Sequence, residues 1–112
     1  MIKVTIHRDP TSTFITGFDM TGHANFGEYG QDIVCAGVSA VSFGSVNSVE
    51  ALTGIKLGIQ SAGDGDLHVQ VPDITDRQKS EQVQLLLEAM LVSLDTIRAS
   101  YGKYLKMNEI VK

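Results

Sequence analysis

The fold of this 112-residue chain is decided by residues 22–39: Gly22-His23-Ala24-Asn25-Phe26-Gly27-Glu28-Tyr29-Gly30-Gln31-Asp32-Ile33-Val34-Cys35-Ala36-Gly37-Val38-Ser39. Up to Gln31 the stretch is polar and punctuated by glycine, which reads as a loop. From Asp32 onward it turns apolar and small, and Val34, Val38, Val41, Val49 and Leu52 follow helical spacing. The valines favour a strand, but the 20 residues of 33–52 are too many for one. The spacing therefore predicts a helix over 33–52. Asp32 suits its N-cap, because a carboxylate accepts from the free N–H groups of the first turn. Gly54 suits its stop. So little charge predicts a helix largely buried. Ala36, Gly37, Ser39, Ala40 and Gly44 leave room for another backbone to approach.

On the N-terminal side, residues 1–8 alternate, with Ile2, Val4 and Ile6 on one face of a half-buried strand. Asp9-Pro10-Thr11-Ser12 is a turn by composition. Residues 13–21 resume with Phe14, Thr16, Phe18 and Met20 on one face, so a hairpin is predicted, with Gly17 marking a bulge. On the C-terminal side, residues 55–61 and 67–71 read as strands around a glycine-rich turn at 62–66. Thr75-Asp76-Arg77-Gln78 has the form of a capping box. The helix after it carries Val83, Leu87, Met90, Leu94, Ile97 and Tyr101 as a core stripe, widened by Leu86 and Leu91, and Gly102 closes it. Residues 104–111 read as a last strand at the sheet edge. The order ββαββα(β) predicts an α+β fold, a mixed or antiparallel sheet packed with two helices. Length predicts one domain over 1–112.

Composition narrows the function. At 43% apolar and 20% charged the chain reads as ordinary globular protein. The net charge of −4, with no cluster of Lys and Arg, argues against direct nucleic-acid binding. A core of this size is thin, so association as a homodimer is expected. One cysteine cannot make an internal disulfide. With no signal sequence and no long apolar span, the expectation is a soluble cytoplasmic protein without membrane contact.

The chemistry lies in His23, Asp32 and Cys35. A free thiol has a pKa of about 8.5 and is mostly protonated at neutral pH. At the third position of a helix capped by Asp32, the Cys35 thiolate would meet exposed N–H groups and the positive end of the helix dipole. His23 would supply an imidazolium partner and later a proton for the leaving group. The same N–H groups could form an oxyanion hole. Asp32 has two possible tasks, capping the helix or orienting His23, and the residues leave both open. Taken singly, each signal has a plainer reading: most lone cysteines are buried and inert, and His7 and His68 read as ordinary strand residues. One Cys, one His and one Asp at these spacings make no familiar metal site, and no second cysteine is present for redox chemistry. No cofactor is expected. Phe26 and Tyr29 either pin the loop to the body or touch substrate.

The combination is more specific. Gly22-His23-Ala24, followed after a glycine-containing loop by Asp32-Ile33-Val34-Cys35-Ala36 and Val38-Ser39, resembles the Prp family of bacterial ribosomal-processing cysteine proteases. The similarity covers nearly the whole chain. It implies an α+β homodimer and an endopeptidase that removes an N-terminal extension from the precursor of large-subunit ribosomal protein twenty-seven, cleaving after an aromatic-ending motif. It places the catalytic cysteine on Cys35, the catalytic histidine on His23, the motif aspartate on Asp32 and a serine one helical turn after the cysteine on Ser39. Phe26 and Tyr29 carry over only as substrate-contact candidates. Two competing readings are a noncatalytic ribosome-assembly or protein-binding module, and a thiol hydrolase of small esters or amides.

Overall fold

Alternation does what it predicts in β1 (Ile2–Arg8), where Ile2, Val4 and Ile6 are buried. β2 (Ile15–Thr21) pairs with it antiparallel, with Ile6 opposite Phe18 and Val4 opposite Met20. A bulge lies beside Gly17, where His7 faces Gly17 but Arg8 faces Ile15. The extra residue reverses the parity of the strand. Ile15 is therefore 1% exposed, while Phe14 is 40% exposed and Thr16 is exposed too, which corrects the predicted stripe at its first two members. The backbone of Ile15 is bracketed by the Gln84 side chain, which accepts the N–H at 2.7 Å and donates to the carbonyl at 2.8 Å.

The computed structural model describes residues 1–28, 32–61, 63 and 65–112. After β2 come α1 (Ile33–Thr53), β3 (Gly58–Gln60), β4 (Asp66–Gln70), α2 (Arg77–Tyr101) and β5 (Leu105–Val111). The sheet order is β3-β4-β2-β1-β5. Among the described residues only the β1–β5 pair is parallel, so the sheet is mixed. β3 is shorter than the predicted 55–61: Gly54 closes α1 in a left-handed conformation and Leu57 turns inward to 3% exposure, so pairing begins only at Gly58. The cap of α2 is Asp76, not Thr75; its carboxylate accepts the Lys79 N–H at 3.0 Å.

The stripe of Val83, Leu87, Met90 and Leu94 buries α2 against the sheet core of Ile6, Phe18, Val69 and Leu105. Each such side chain contributes about 1.5–3 kcal/mol relative to exposure. α1 packs on α2 and buries one stripe of its own: Val34, Val38, Ser42, Val46, Val49 and Thr53. This corrects the expectation of a helix largely buried, since Ile33, Phe43 and Leu52 are 48–71% exposed on its other faces. The outer side carries one charge, Glu50, and is otherwise built largely of alanine, glycine and serine, so its low charge does not come from neighbours covering it. By length and composition α1 is also an apolar span (mean hydropathy 1.3), contrary to the reading that none exists. Its inner stripe belongs to the core shared with the sheet.

Candidate active site

The site forms where three chain ends meet: the exit of β2, the start of α1 and the start of β4. β2 ends at Thr21, and Gly22 takes a left-handed conformation with φ +91. A side chain there would collide with the Met1 carbonyl, its Cβ 2.3 Å from the oxygen. Only glycine lets the chain leave the sheet at this point, and His23 follows at once.

α1 begins as its sequence requires. Asp32 has extended backbone geometry, and its Oδ1 accepts the N–H groups of Val34 and Cys35, each at 3.0 Å. Its Oδ2 accepts the Phe26 N–H at 2.9 Å. The carboxylate therefore ties the loop to the helix, and among the described residues it makes no bond to His23. Of its two possible tasks, the geometry has capping. Burial pushes the Asp32 carboxyl up, but the N–H donors of Cys35 and Phe26, with the Cys35 side chain and the Gly27 N–H, outweigh it and hold the group below the usual carboxylate range.

Cys35 is the third residue of α1 and half-buried. Its Sγ accepts the N–H of Ala24, the residue after His23, at 3.2 Å. That bond brings the histidine strand and the cysteine helix together. An anion on Sγ would lie at the positive end of α1 and keep this donor. The expected oxyanion donors are corrected by the same geometry: the Val34 and Cys35 N–H groups are already taken by Asp32.

His23, Asp32, Cys35 and Ser39 all line one cavity of about 430 Å³, with Met20, Phe43 and Leu67 among its apolar walls. Thiol and imidazole share this space without a hydrogen bond between them among the described residues. Ser39 lies one turn along α1 from Cys35. Phe26 is not on the lining. Its ring meets Tyr101 and Tyr104 edge-on, with centroids 5.6 and 5.1 Å away, so it pins the loop to the end of α2. Tyr29 lies outside the described residues.

The sequence reading missed the third wall, made by Ser61, Gly63, Gly65 and Asp66 of the β3–β4 connection. Its signal was the glycine-rich turn, read only as a hairpin. It also passed over a polar ladder on the open face of the sheet. His7 Nε2 meets Asp19 Oδ2 at 2.6 Å, His68 Nδ1 meets Asp19 Oδ1 at 2.6 Å, and His68 Nε2 meets Asp66 Oδ1 at 2.8 Å. A larger groove of about 560 Å³ runs along His7, Asp19 and His68, but no thiol lines it. The cavity with Cys35 is the one equipped for covalent chemistry.

A thiol at a helix start, beside the segment that carries His23 and inside a cavity, suits covalent chemistry at sulfur. The sequence profile of the family described as cysteine protease Prp matches residues 1–106. The chain belongs to the Prp family of cysteine proteases. It is 44% identical over 108 residues to the ribosomal processing cysteine protease Prp of Bacillus subtilis, covering 96% of both chains. It is also similar to the crystal structure of an essential ribosomal processing protease Prp from S. aureus in complex with a covalently linked product peptide. There the TM-score is 0.88 and the identity 40%, over 98% of this chain and 100% of that one. A second structure of the S. aureus protease, in complex with a substrate peptide, matches with a TM-score of 0.82 at 40% identity over the same shares. Membership makes the chain a cysteine protease and sets aside the noncatalytic-module reading.

Proposed function

We propose that this protease removes the N-terminal extension from the precursor of large-subunit ribosomal protein twenty-seven in the cytoplasm, with Cys35 as nucleophile and His23 as acid and base. The observation that carries the reading is the Ala24 N–H donating to the Cys35 Sγ at 3.2 Å inside a cavity that His23 also lines. The Cys35 thiolate attacks the scissile carbonyl carbon, forming the S–C bond and moving the carbonyl electrons onto oxygen. His23 then gives its proton to the leaving amine as the C–N bond breaks. A water molecule, losing a proton to His23, adds to the thioester carbon; the S–C bond breaks, the acid leaves, and the Cys35 thiolate and protonated His23 are restored. Once sulfur is bonded to carbon, the Ala24 N–H that the thiolate gives up is a donor for the developing oxyanion. Asp32 holds the helix start and the loop together, and Ser39 lines the cavity one turn along α1 from Cys35.

The peptides bound by the S. aureus relative support a peptide substrate, and the names of the relatives support a ribosomal one. A homodimer is supported by the sparsely charged outer side of α1, where Ile33 and Phe43 stand exposed. The test is incubation with the precursor of that ribosomal protein, followed by mass analysis. Loss of an N-terminal peptide ending in an aromatic residue is expected. An intact precursor, under conditions where another ribosomal precursor is cut, would refute the substrate.

A further inference from the structure

β2 and β4 pair antiparallel as far as Thr21 opposite Asp66. The pairing then runs one step further, because the Gly22 N–H donates to the Gly65 carbonyl at 2.8 Å. Gly65 is thus bonded to the residue that precedes His23. It also touches His23 itself. A Cβ built on Gly65 would lie 2.7 Å from His23 Nε2, 3.1 Å from its Cε1 and 3.1 Å from the Gly22 carbonyl oxygen. Only a bare α-carbon leaves room for the imidazole edge. Gly65 has φ +76, in the left-handed region that favours glycine.

Gly65 is not free to withdraw. The next residue, Asp66, is braced twice: His68 Nε2 bonds its carboxylate at 2.8 Å, and Ser61 Oγ lies 2.6 Å from its carbonyl. The wall against His23 is therefore anchored both to the sheet and to the open-face ladder.

We propose that Gly65 is a positioning residue for His23, its α-carbon being the surface that sets where the imidazole edge lies. The inference rests on the reading of His23 as the base. A side chain at Gly65 must push the ring aside, and displacements of about 1 Å in a catalytic group cost up to roughly 10²-fold in rate.

The test uses Gly65→Asn, because asparagine tolerates the left-handed conformation while still carrying a Cβ. Gly54→Asn is the control: Gly54, the C-cap of α1 and off the cavity lining, has φ +77, and among the described residues nothing lies within 4 Å of its Cβ position. Peptide cleavage is expected to show kcat lowered about 10- to 100-fold in Gly65→Asn with KM little changed, and kcat near the parent value in Gly54→Asn. The pH profile of Cys35 alkylation by iodoacetamide, which reads the neighbouring imidazole, should shift in Gly65→Asn alone. A folded Gly65→Asn with the parent kcat and alkylation profile would overturn the proposal. So would equal kcat losses in the two variants, which would assign the effect to left-handed backbone strain. Should Gly65→Asn fail to fold, a nuclear Overhauser contact between Gly65 Hα and the His23 ring in the unaltered protein is required, and its absence overturns the proposal. An active His23→Ala would remove the base and this inference with it. An inactive His23→Ala beside a fully active Gly65→Asn would sink this inference alone.

Discussion

Replacing Phe26 by alanine separates pinning from substrate contact. The Phe26 ring makes two edge-on contacts, to Tyr101 at 5.6 Å and to Tyr104 at 5.1 Å. Such pairs contribute about 0.5–1.5 kcal/mol each beyond area burial, or about 1–3 kcal/mol together. Phe26 is 41% exposed, so the lower part of that range applies, about 1–2 kcal/mol. At about 1.4 kcal/mol per tenfold, local opening of the loop should rise roughly 5- to 30-fold. Two amides report on it: the Ala24 N–H bonded to Cys35 Sγ and the Phe26-position N–H bonded to Asp32. Hydrogen exchange in Phe26→Ala should accelerate at both by that factor. Tyr101→Leu should reproduce part of the effect, and the double variant should fall short of the sum, because the two residues share one contact. Unchanged exchange together with a raised KM would refute the pinning argument and make Phe26 a substrate contact.

Asp32→Asn should lower activity about tenfold or less, since asparagine caps about as well as aspartate; a thousandfold loss at an unchanged urea midpoint would make Asp32 the orienting partner of His23. The ladder of His7, Asp19, His68 and Asp66 predicts a pH dependence of stability. The hydrogen bond that the His68 ring donates to Asp19 raises the His68 pKa above the ordinary imidazole value against burial, with Asp66 adding to it. Burial pushes Asp19 up, but His7 and His68 hold it below the usual carboxylate range. A raised histidine contributes fully below its unfolded value of about 6.5 and loses that contribution as pH rises through its folded value; a depressed aspartate contributes above about 3.9. The urea-midpoint gap between the parent and His68→Gln should therefore be widest near pH 5 and shrink by about pH 9. A gap that grows above pH 7 would contradict the assignment.

Patterns within one element were legible in the sequence. The stripes of β1 and α2, the Asp32 cap and the Gly54 stop all follow from neighbours a few residues apart, where side-chain periodicity and local hydrogen bonding decide the structure. What depends on pairing across the chain was not. The bulge that exposes Phe14 was anticipated at Gly17, but its effect on parity was not carried through. The parallel seat of β5 beside β1 is set by how α2 returns over the sheet. Phe26 finds Tyr101 and Tyr104 only in three dimensions. His7, Asp19 and His68 do share a strand face by simple alternation, so that ladder left a signal; without the register of Asp19 opposite His68 there was no reason to join them. His23 and Cys35 were legible because a glycine-bounded histidine and a capped helix start are both local features. Gly65 was not, because its closeness to His23 comes from one further step of β2–β4 pairing.

The most direct test of the central claim is the initial rate of precursor cleavage by Cys35→Ala beside the parent protein, at matched concentration and with folding verified by circular dichroism. A loss of at least roughly 10³-fold is expected, as for removal of other nucleophiles. Turnover near the parent rate in a folded, uncontaminated Cys35→Ala preparation would contradict the thiol mechanism.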